Sequence, residues 1–215
     1  KTMRISSGKV TISDLDSGKT YTFDSYGSLA SITDKNGFTI QINRDSYGTI
    51  TSCKAGEKTV TFHYNNRKLV SEVILPGGQK TSYEYDAKRN LIKFTDAKGN
   101  SENYRYDANN FLTTVIDKNG VESTKNTYDS EGRVIKQTDG NGNISTIRYE
   151  NNQTIVTNAD GSEDIYAFNA NYDTTSITLK GETETTYTYD SYRNITSKTD
   201  KEGNITRYTY NKTDL

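Results

Sequence analysis

Residues 83–100 read Tyr-Glu-Tyr-Asp-Ala-Lys-Arg-Asn-Leu-Ile-Lys-Phe-Thr-Asp-Ala-Lys-Gly-Asn, and this stretch indicates the fold. The opening Tyr-x-Tyr alternates aromatic and polar side chains, which is the period-two pattern of a β-strand. Asp86 follows, and an Asp side chain can start a turn by accepting a hydrogen bond from the backbone two residues on. A second strand begins at Leu91 and ends in an Asp-x-x-Gly turn. The stretch therefore predicts two short antiparallel strands joined by turns.

The pattern recurs with a period of about 21 residues, which identifies a repeat protein. Its anchor is a tetrad, aromatic-x-aromatic-Asp/Asn, with degenerate copies at residues 42–45, 126–129 and 147–150. The third residues of successive copies are separated by 21, 20, 21, 21, 22, 21, 19, 21 and 21 positions. These third residues are Phe23, Arg44, Tyr64, Tyr85, Tyr106, Tyr128, Tyr149, Phe168, Tyr189 and Tyr210. We expect residues 1–215 to form a single array, with a degenerate leading hairpin over 1–20 and nine to ten repeats over 21–215.

The repeats predict an all-β fold, in which tandem antiparallel β-hairpins of about 21 residues form a twisted, spiralling sheet. One point stays open, because Leu91 and Phe94 are three apart and would face opposite sides of a regular strand. Either both faces of the sheet are partly buried, or a β-bulge re-aims one side chain. The repeated aromatic and turn residues are the candidate structural positions: Tyr21, Phe23, Asp24, Tyr64, Tyr83, Tyr85, Asp86, Tyr104, Tyr106, Asp107, Tyr128, Asp129, Tyr149, Phe168, Tyr187, Tyr189, Asp190, Tyr208 and Tyr210.

The composition excludes several classes of protein. The net charge of −1, with no basic stripe, argues against a nucleic-acid partner. The longest apolar run, Val73-Ile74-Leu75, is far too short to span a membrane. Cys53 is the only cysteine, so no disulfide within the chain and no cysteine metal site is expected. The first residue is Lys1 rather than Met, and we expect a fragment of a longer protein.

The repeated residues resemble the YD-repeat (Rhs) family, whose signature is Tyr-x-Tyr-Asp-x-x-Gly-x-Leu followed by an apolar-x-Asp and a Gly turn. The family includes bacterial Rhs and wall-associated polymorphic toxins, insecticidal toxin-complex subunits and teneurins. The resemblance implies a β-sheet that spirals into a hollow shell and, in bacterial toxins, encloses a toxin domain. It also implies a secreted or cell-surface bacterial location, with an enclosed toxin domain and other segments of the parent protein as partners. The Asp-Pro self-cleavage segment typical of such shells is missing, since no Asp-Pro dipeptide occurs.

We expect no catalytic residue, cofactor or metal. The many Asp residues fall at repeated turn positions, whereas a catalytic carboxylate pair would be an exception to the repeat. His63 lies between two aromatic residues, which predicts a solvent-facing side chain. Residues 139–150 imitate a calcium-binding loop, but Ile144 stands at the sixth position, where the sharp turn of such a loop needs Gly.

Three functions remain open at this point. The leading hypothesis is a non-enzymatic scaffold or shell wall, in which the tyrosines pack against one another in place of a core. The alternative is an adhesion or carbohydrate-binding module, in which the same tyrosines form a platform for sugars. A glycosidase is the third, and it requires two exceptional carboxylates. Exposed strand edges also predict self-association.

Overall fold

The structure, a computed structural model, describes residues 2–6 and 9–210. Residues 1, 7, 8 and 211–215, which the predicted array includes, lie outside the described residues. Within the described ranges the chain forms 21 β-strands and no helix. The prediction of an all-β fold built from tandem antiparallel hairpins is confirmed.

The chain divides into two compact units, Lys1–Asn103 and Tyr104–Leu215. In the first unit each strand pairs antiparallel with the next along the chain. Its strands are β1 (Thr2–Ser6), β2 (Lys9–Asp14), β3 (Lys19–Phe23), β4 (Leu29–Thr33), β5 (Thr39–Arg44), β6 (Ile50–Ala55), β7 (Lys58–Tyr64), β8 (Val70–Ile74), β9 (Lys80–Tyr85), β10 (Leu91–Thr95) and the start of β11 (Ser101–Tyr106).

The second unit repeats this arrangement, again with antiparallel pairing between consecutive strands from β12 onward. Its further strands are β12 (Leu112–Ile116), β13 (Glu122–Tyr128), β14 (Val134–Asp139), β15 (Ile144–Glu150), β16 (Gln153–Thr157), β17 (Glu163–Phe168), β18 (Thr174–Leu179), β19 (Glu182–Tyr189), β20 (Ile195–Asp200) and β21 (Ile205–Arg207).

A β-bulge answers the question that the spacing of Leu91 and Phe94 left open. Tyr85 pairs with Leu91 and Tyr83 pairs with Phe94, while the register shifts by one residue between Leu91 and Lys93. Directly opposed residues share a face, and Tyr83 and Tyr85 share one because they are two apart. Leu91 and Phe94 therefore both lie on the face of the tyrosines.

The same bulge recurs at the start of the second strand in other hairpins. The register shifts after Leu29, Ile50, Val70, Val134, Thr174 and Ile195, each of which faces the third tetrad residue. The Leu-x-x-apolar motif of the repeat is thus the sequence signature of a bulge.

The bulges give each of these hairpins one apolar and one polar face. We call the first, which carries Tyr83, Tyr85, Leu91 and Phe94 in β9–β10 and the equivalent residues elsewhere, the aromatic face. The ring centroids of Tyr83 and Phe94 lie 5.4 Å apart across the strands. On the opposite, polar face of the same hairpin, Lys93 Nζ lies 3.0 Å from Glu84 Oε1.

The described residues have almost no buried core. Only Ile155 and Thr114 are classed as buried, with 5% and 8% of their surface exposed, and most strand residues are half-buried. Backbone ladders and contacts between neighbouring strands must therefore supply most of the stability, as in other repeat proteins.

Candidate functional site: the tyrosine–carbonyl contacts and the Asp turns

The tyrosine at the third tetrad position donates its hydroxyl to a backbone carbonyl of the preceding hairpin. The distance from the hydroxyl to the carbonyl oxygen is 2.8 Å for Tyr85 and Val70, and 2.6 Å for Tyr189 and Thr174. The other contacts of this type join Tyr64 to Ile50, Tyr128 to Leu112 and Tyr149 to Val134, at 2.6 to 2.9 Å. Every acceptor is the first residue of a bulged or short second strand.

These carbonyls need a donor because the neighbouring backbone ladder ends before it reaches them. The last pair between β8 and β9 is Glu72 with Ser82, two residues beyond Val70. The last pair between β18 and β19 is Ser176 with Thr186, two residues beyond Thr174. A half-buried carbonyl without a partner is costly, and the tyrosine hydroxyl supplies the missing hydrogen bond.

The exceptions at this position support the same explanation. Arg44 stands in the place of Tyr, and its Nη2 donates to the Leu29 carbonyl at 3.4 Å. Phe168 has no hydroxyl, but there the ladder between β16 and β17 runs on to Gln153, and the Phe168 N–H donates to the Asn152 carbonyl at 2.8 Å. At the third tetrad position, Phe168 therefore occurs where every nearby carbonyl of the preceding hairpin already has a backbone partner.

Phe23 is explained in the same way, because the ladder between β2 and β3 includes the pair of Val10 with Phe23 itself.

Burial raises the pKa of Tyr85 and of Tyr189 above the ordinary value, so both hydroxyls stay protonated and able to donate. Tyr106 is half-buried, and Tyr208 and Tyr210 are exposed.

The first tetrad position contributes to packing on the aromatic face. Tyr83 contacts Phe94, and Tyr21 and Tyr166 stand opposite Ile32 and Ile177. Tyr104 and Tyr187 are half-buried on their strands. Each of these side chains is therefore partly covered by its neighbours on the sheet.

One turn geometry recurs at both ends of many hairpins. Asp190 Oδ1 accepts the N–H groups of Tyr192 and Asn194 at 2.8 and 2.9 Å, and Arg193 adopts a left-handed φ of 69°. Asp117 Oδ1 likewise accepts the N–H groups two and four residues on, at 2.8 and 2.9 Å. The structure places the predicted turn residues Asp24, Asp86, Asp107 and Asp129 at this same position.

The turn hydrogen bonds favour the ionised carboxylate. The backbone N–H four residues on is the largest cause of a lowered pKa at Asp45, Asp117 and Asp190. Asp139, the first residue of the calcium-like segment, accepts the N–H groups of Asn141 and Asn143 in the same way. Among the described residues no group of three His, Cys, Asp or Glu side chains is placed to hold a metal ion.

His63 is exposed on the polar face, opposite Glu72. In the described part of the chain, no helical segment has the length and apolar character that a membrane crossing requires.

Two sets of residues with special positions in the structure depart from the repeat pattern, and the period alone does not predict them. Arg44 interrupts the aromatic tetrad, and its role depends on a carbonyl fifteen residues earlier. Four tyrosines at the turns, Tyr26, Tyr47, Tyr172 and Tyr192, are exposed by 74% or more. They lie outside the tetrads and follow the turn Asp or Asn by two or three residues.

Residues 64–101 match the RHS Repeat family model. This match covers the tetrad over residues 83–86, the last two residues of the tetrad before it and the intervening turns, and it confirms the predicted resemblance to RHS repeats. No curated protein matches the sequence.

Solved structures similar to this chain include Tc toxin proteins. The crystal structure of TcdB2-TccC3 without its hypervariable C-terminal region matches 89% of this chain, with 17% identity and a TM-score of 0.61. The crystal structure of TcdB2-TccC3 matches with 17% identity over 89% of this chain and 11% of that chain, at a TM-score of 0.49. The Tc holotoxin pore of Photorhabdus luminescens matches with 12% identity over 97% of this chain and 16% of that chain, at a TM-score of 0.44.

The present chain spans 13% of the first of these proteins. At this level of identity the similarity shows the fold, and that fold agrees with the RHS repeats.

The hydroxyl–carbonyl contact can be tested by a matched pair of substitutions in β19. Tyr189→Phe removes the hydroxyl that binds the Thr174 carbonyl, whereas Tyr187→Phe removes a hydroxyl that has no partner among the described residues. We expect Tyr189→Phe to lower the free energy of unfolding by about 1 kcal/mol, and Tyr187→Phe to change it little. Urea unfolding of both variants measures the difference, and equal losses would contradict the assignment.

The turn carboxylates predict a loss of stability in acid. Because the folded-state pKa of Asp45, Asp117 and Asp190 is lowered, their contribution is fully present above the unfolded pKa of about 3.9 and is lost as the pH falls through the folded value. The melting temperature should therefore fall below about pH 4. Asn65 and Asn169 accept the same turn hydrogen bond with an oxygen that does not titrate. Replacing all three Asp residues by Asn should therefore reduce the fall in melting temperature at low pH. An identical acid profile in this variant would show that other groups cause the loss.

Proposed function

We propose that this chain is a non-enzymatic wall segment of a larger RHS-repeat toxin shell, which encloses a toxic cargo domain. The observation that carries the proposal is the similarity in fold, over 89% of the chain, to a TcdB2-TccC3 protein of which it spans 13%. A segment of that size is one part of a wall rather than a closed shell.

The burial pattern supports the role of a wall. The described hairpins carry an apolar aromatic face and a polar face but have almost no buried core. An apolar face whose side chains are only half-buried among the described residues is typical of a surface that meets another segment. The proposed partners are other segments of the parent protein and the enclosed toxin domain.

The assignment as a non-enzyme rests on the carboxylates. The turn Asp residues hold their own turns through one oxygen, and the same arrangement recurs from repeat to repeat. A catalytic acid and base would need two carboxylates whose surroundings differ from the repeat. The proposed location is secreted or at the bacterial cell surface, and the similarity in fold to TcdB2-TccC3 supports it.

The alternative, a carbohydrate platform built from the tetrad tyrosines, has less support. The hydroxyls of Tyr64, Tyr85, Tyr128, Tyr149 and Tyr189 are engaged with carbonyls inside the sheet. A sugar would have to compete with these contacts. Self-association through strand edges stays a prediction.

The proposal can be tested by limited proteolysis of the full-length protein that contains this segment. If the segment is part of a closed wall, the enclosed domain should resist trypsin in the native protein. The double variant Tyr128→Phe/Tyr189→Phe, which lacks two contacts between hairpins, should expose that domain at a lower urea concentration. Tyr187→Phe is the matched control and should behave as the wild type.

The proposal would be contradicted if trypsin cleaved every other segment of the native protein as fast as in the unfolded chain. No domain would then be enclosed.

A further inference from the structure

The hairpin tip between β15 and β16 is shorter than the tips on either side of it. Asn151 and Asn152 alone join these two strands, whereas the neighbouring tips contain five residues each, 129–133 and 169–173. The two full-length tips are four strands apart, which corresponds to about 19 Å. The cavity left between them, which we call the notch, has a volume of about 640 Å³, within the range of small-molecule sites.

In the two preceding repeats, a residue of the tip covers the third tetrad ring of the following hairpin. This residue is the fourth after the turn Asp. The ring centroids of Phe111 and Tyr128 lie 5.0 Å apart, and the guanidinium carbon of Arg133 lies 4.5 Å from the centre of the Tyr149 ring. The next ring in this series is Phe168, and the shortened tip before it has no equivalent residue.

Phe168 lines the notch, and among the described residues no second ring and no cation stacks on it. Gln153, which precedes β16 residue Thr154 as Arg133 precedes Val134, donates instead to Glu150 Oε2 at 2.8 Å. The notch is therefore the place that the repeat elsewhere fills with a flat aromatic or a planar cationic group.

Tyr172, at the rim of the notch, is not explained by folding. Its ring is 85% exposed, and its backbone has a left-handed φ of 62°, which is unfavourable for a bulky side chain. The equivalent turn position holds Gly27, Gly48 and Gly132 in other repeats. Among the described non-glycine residues with a positive φ, Tyr172 is the only aromatic one. Backbone outliers of this kind cluster at binding sites, where the strain is offset by function.

The charges at the notch favour a cation. The Arg133 guanidinium is already paired with two carboxylates, with Nε 2.8 Å from Asp129 Oδ2 and Nη1 3.0 Å from Glu131 Oε2. Glu150 also lines the notch, so carboxylates outnumber the one lining cation. An anionic ligand would meet this excess of negative charge, whereas a cationic ligand would be attracted by it.

The geometry favours a guanidinium over an ammonium. A guanidinium is planar and weakly hydrated, so it stacks on aromatic rings as Arg133 does on Tyr149. Phe168 and Tyr172 offer two such rings at the notch. The side-chain oxygens of Asn151 and Asn152, which also line it, can accept from the N–H groups at the edge of the guanidinium.

We infer that the notch binds a guanidinium group, carried by an arginine side chain of a peptide, with Phe168 and Tyr172 as stacking surfaces and Glu150 as the counter-charge. The bound group would take the place that Arg133 occupies on Tyr149 one hairpin earlier. This inference does not depend on the proposed role as a shell wall.

The test measures binding to the full 215-residue chain by NMR, with ¹³C-labelled phenylalanine so that the Phe168 ring reports directly. The probe is acetyl-Gly-Gly-Arg-Gly-Gly-amide at about 150 mM salt, where long-range charge effects are screened. We expect a saturable shift of the Phe168 ring signals with a dissociation constant of about 10 mM or lower. The same peptide with citrulline, which keeps the shape but not the charge, or with Phe should bind at least about fivefold more weakly.

Agmatine presents the guanidinium without a peptide. Weaker binding of agmatine would show that the peptide backbone contributes to the contact, whereas equal binding would show that the guanidinium alone is recognised.

Tyr172→Gly removes the ring and places at this turn position the residue that other repeats carry there. We expect an unchanged or higher melting temperature, because Gly adopts the left-handed conformation without strain, and a loss of affinity of about fivefold or more. Tyr192→Ala is the matched control, since Tyr192 is a turn tyrosine exposed by 74% that does not line the notch. It should bind as the wild type does.

A second variant fills the notch from within the chain. The tip sequence of residues 129–133, Asp-Ser-Glu-Gly-Arg, replaces residues 150–152, which changes the step from Tyr149 to Phe168 from 19 to 21 residues. The grafted Arg should cover Phe168 and abolish binding of the peptide.

The inference is overturned if the Arg peptide causes no saturable shift, or if the citrulline or Phe peptide binds as tightly. It is also overturned if Tyr172→Gly or the folded graft binds the Arg peptide as the wild type does, because the site would then lie elsewhere.

Discussion

The structure depends on the backbone carbonyls that the bulged hairpins leave without a ladder partner. Each bulge turns Leu91 and its equivalents toward the aromatic face, but the ladder to the next hairpin ends two residues short of the carbonyl that opens the strand. With almost no buried core among the described residues, a half-buried carbonyl of this kind needs a side-chain donor. The tyrosine hydroxyl of the following repeat provides it and so ties consecutive hairpins together.

This constraint explains why most repeats carry tyrosine rather than phenylalanine at the third tetrad position. Phenylalanine would fill the same space between strands, but it cannot donate to the carbonyl. The chain carries Phe23 and Phe168 where the preceding ladder is complete, and Arg44 where a different donor reaches the carbonyl. One repeat thus joins an apolar ring, a hydrogen bond and a turn carboxylate within a few residues, which lets the described hairpins form with almost no buried core.

The period of about 21 residues was sufficient to predict the hairpins, the turns and the antiparallel order, because these depend on residues close together in sequence. The presence of an irregularity could be predicted, but its identity as a bulge could not. The spacing of Leu91 and Phe94 indicated an irregularity, but the choice between a bulge and two buried faces depends on the pairing with Tyr83 and Tyr85. The hydroxyl contacts could not be predicted, since the acceptor is about fifteen residues away and is identified only by where a neighbouring ladder ends. The exposed tyrosines at the turns were missed because they lie outside the tetrads that define the period.

The most direct measurement is the free energy of unfolding of a variant that gains a hydroxyl at a position without an unpaired carbonyl. In Phe168→Tyr the new hydroxyl would meet a ladder that is already complete at Gln153 and Asn152. If tyrosine is used because its hydroxyl donates to an unpaired carbonyl, this substitution should leave the free energy of unfolding unchanged or lower it. The new hydroxyl would be partly desolvated without gaining a partner. A gain of about 1 kcal/mol or more, equal to the contribution of a satisfied hydrogen bond, would contradict the account.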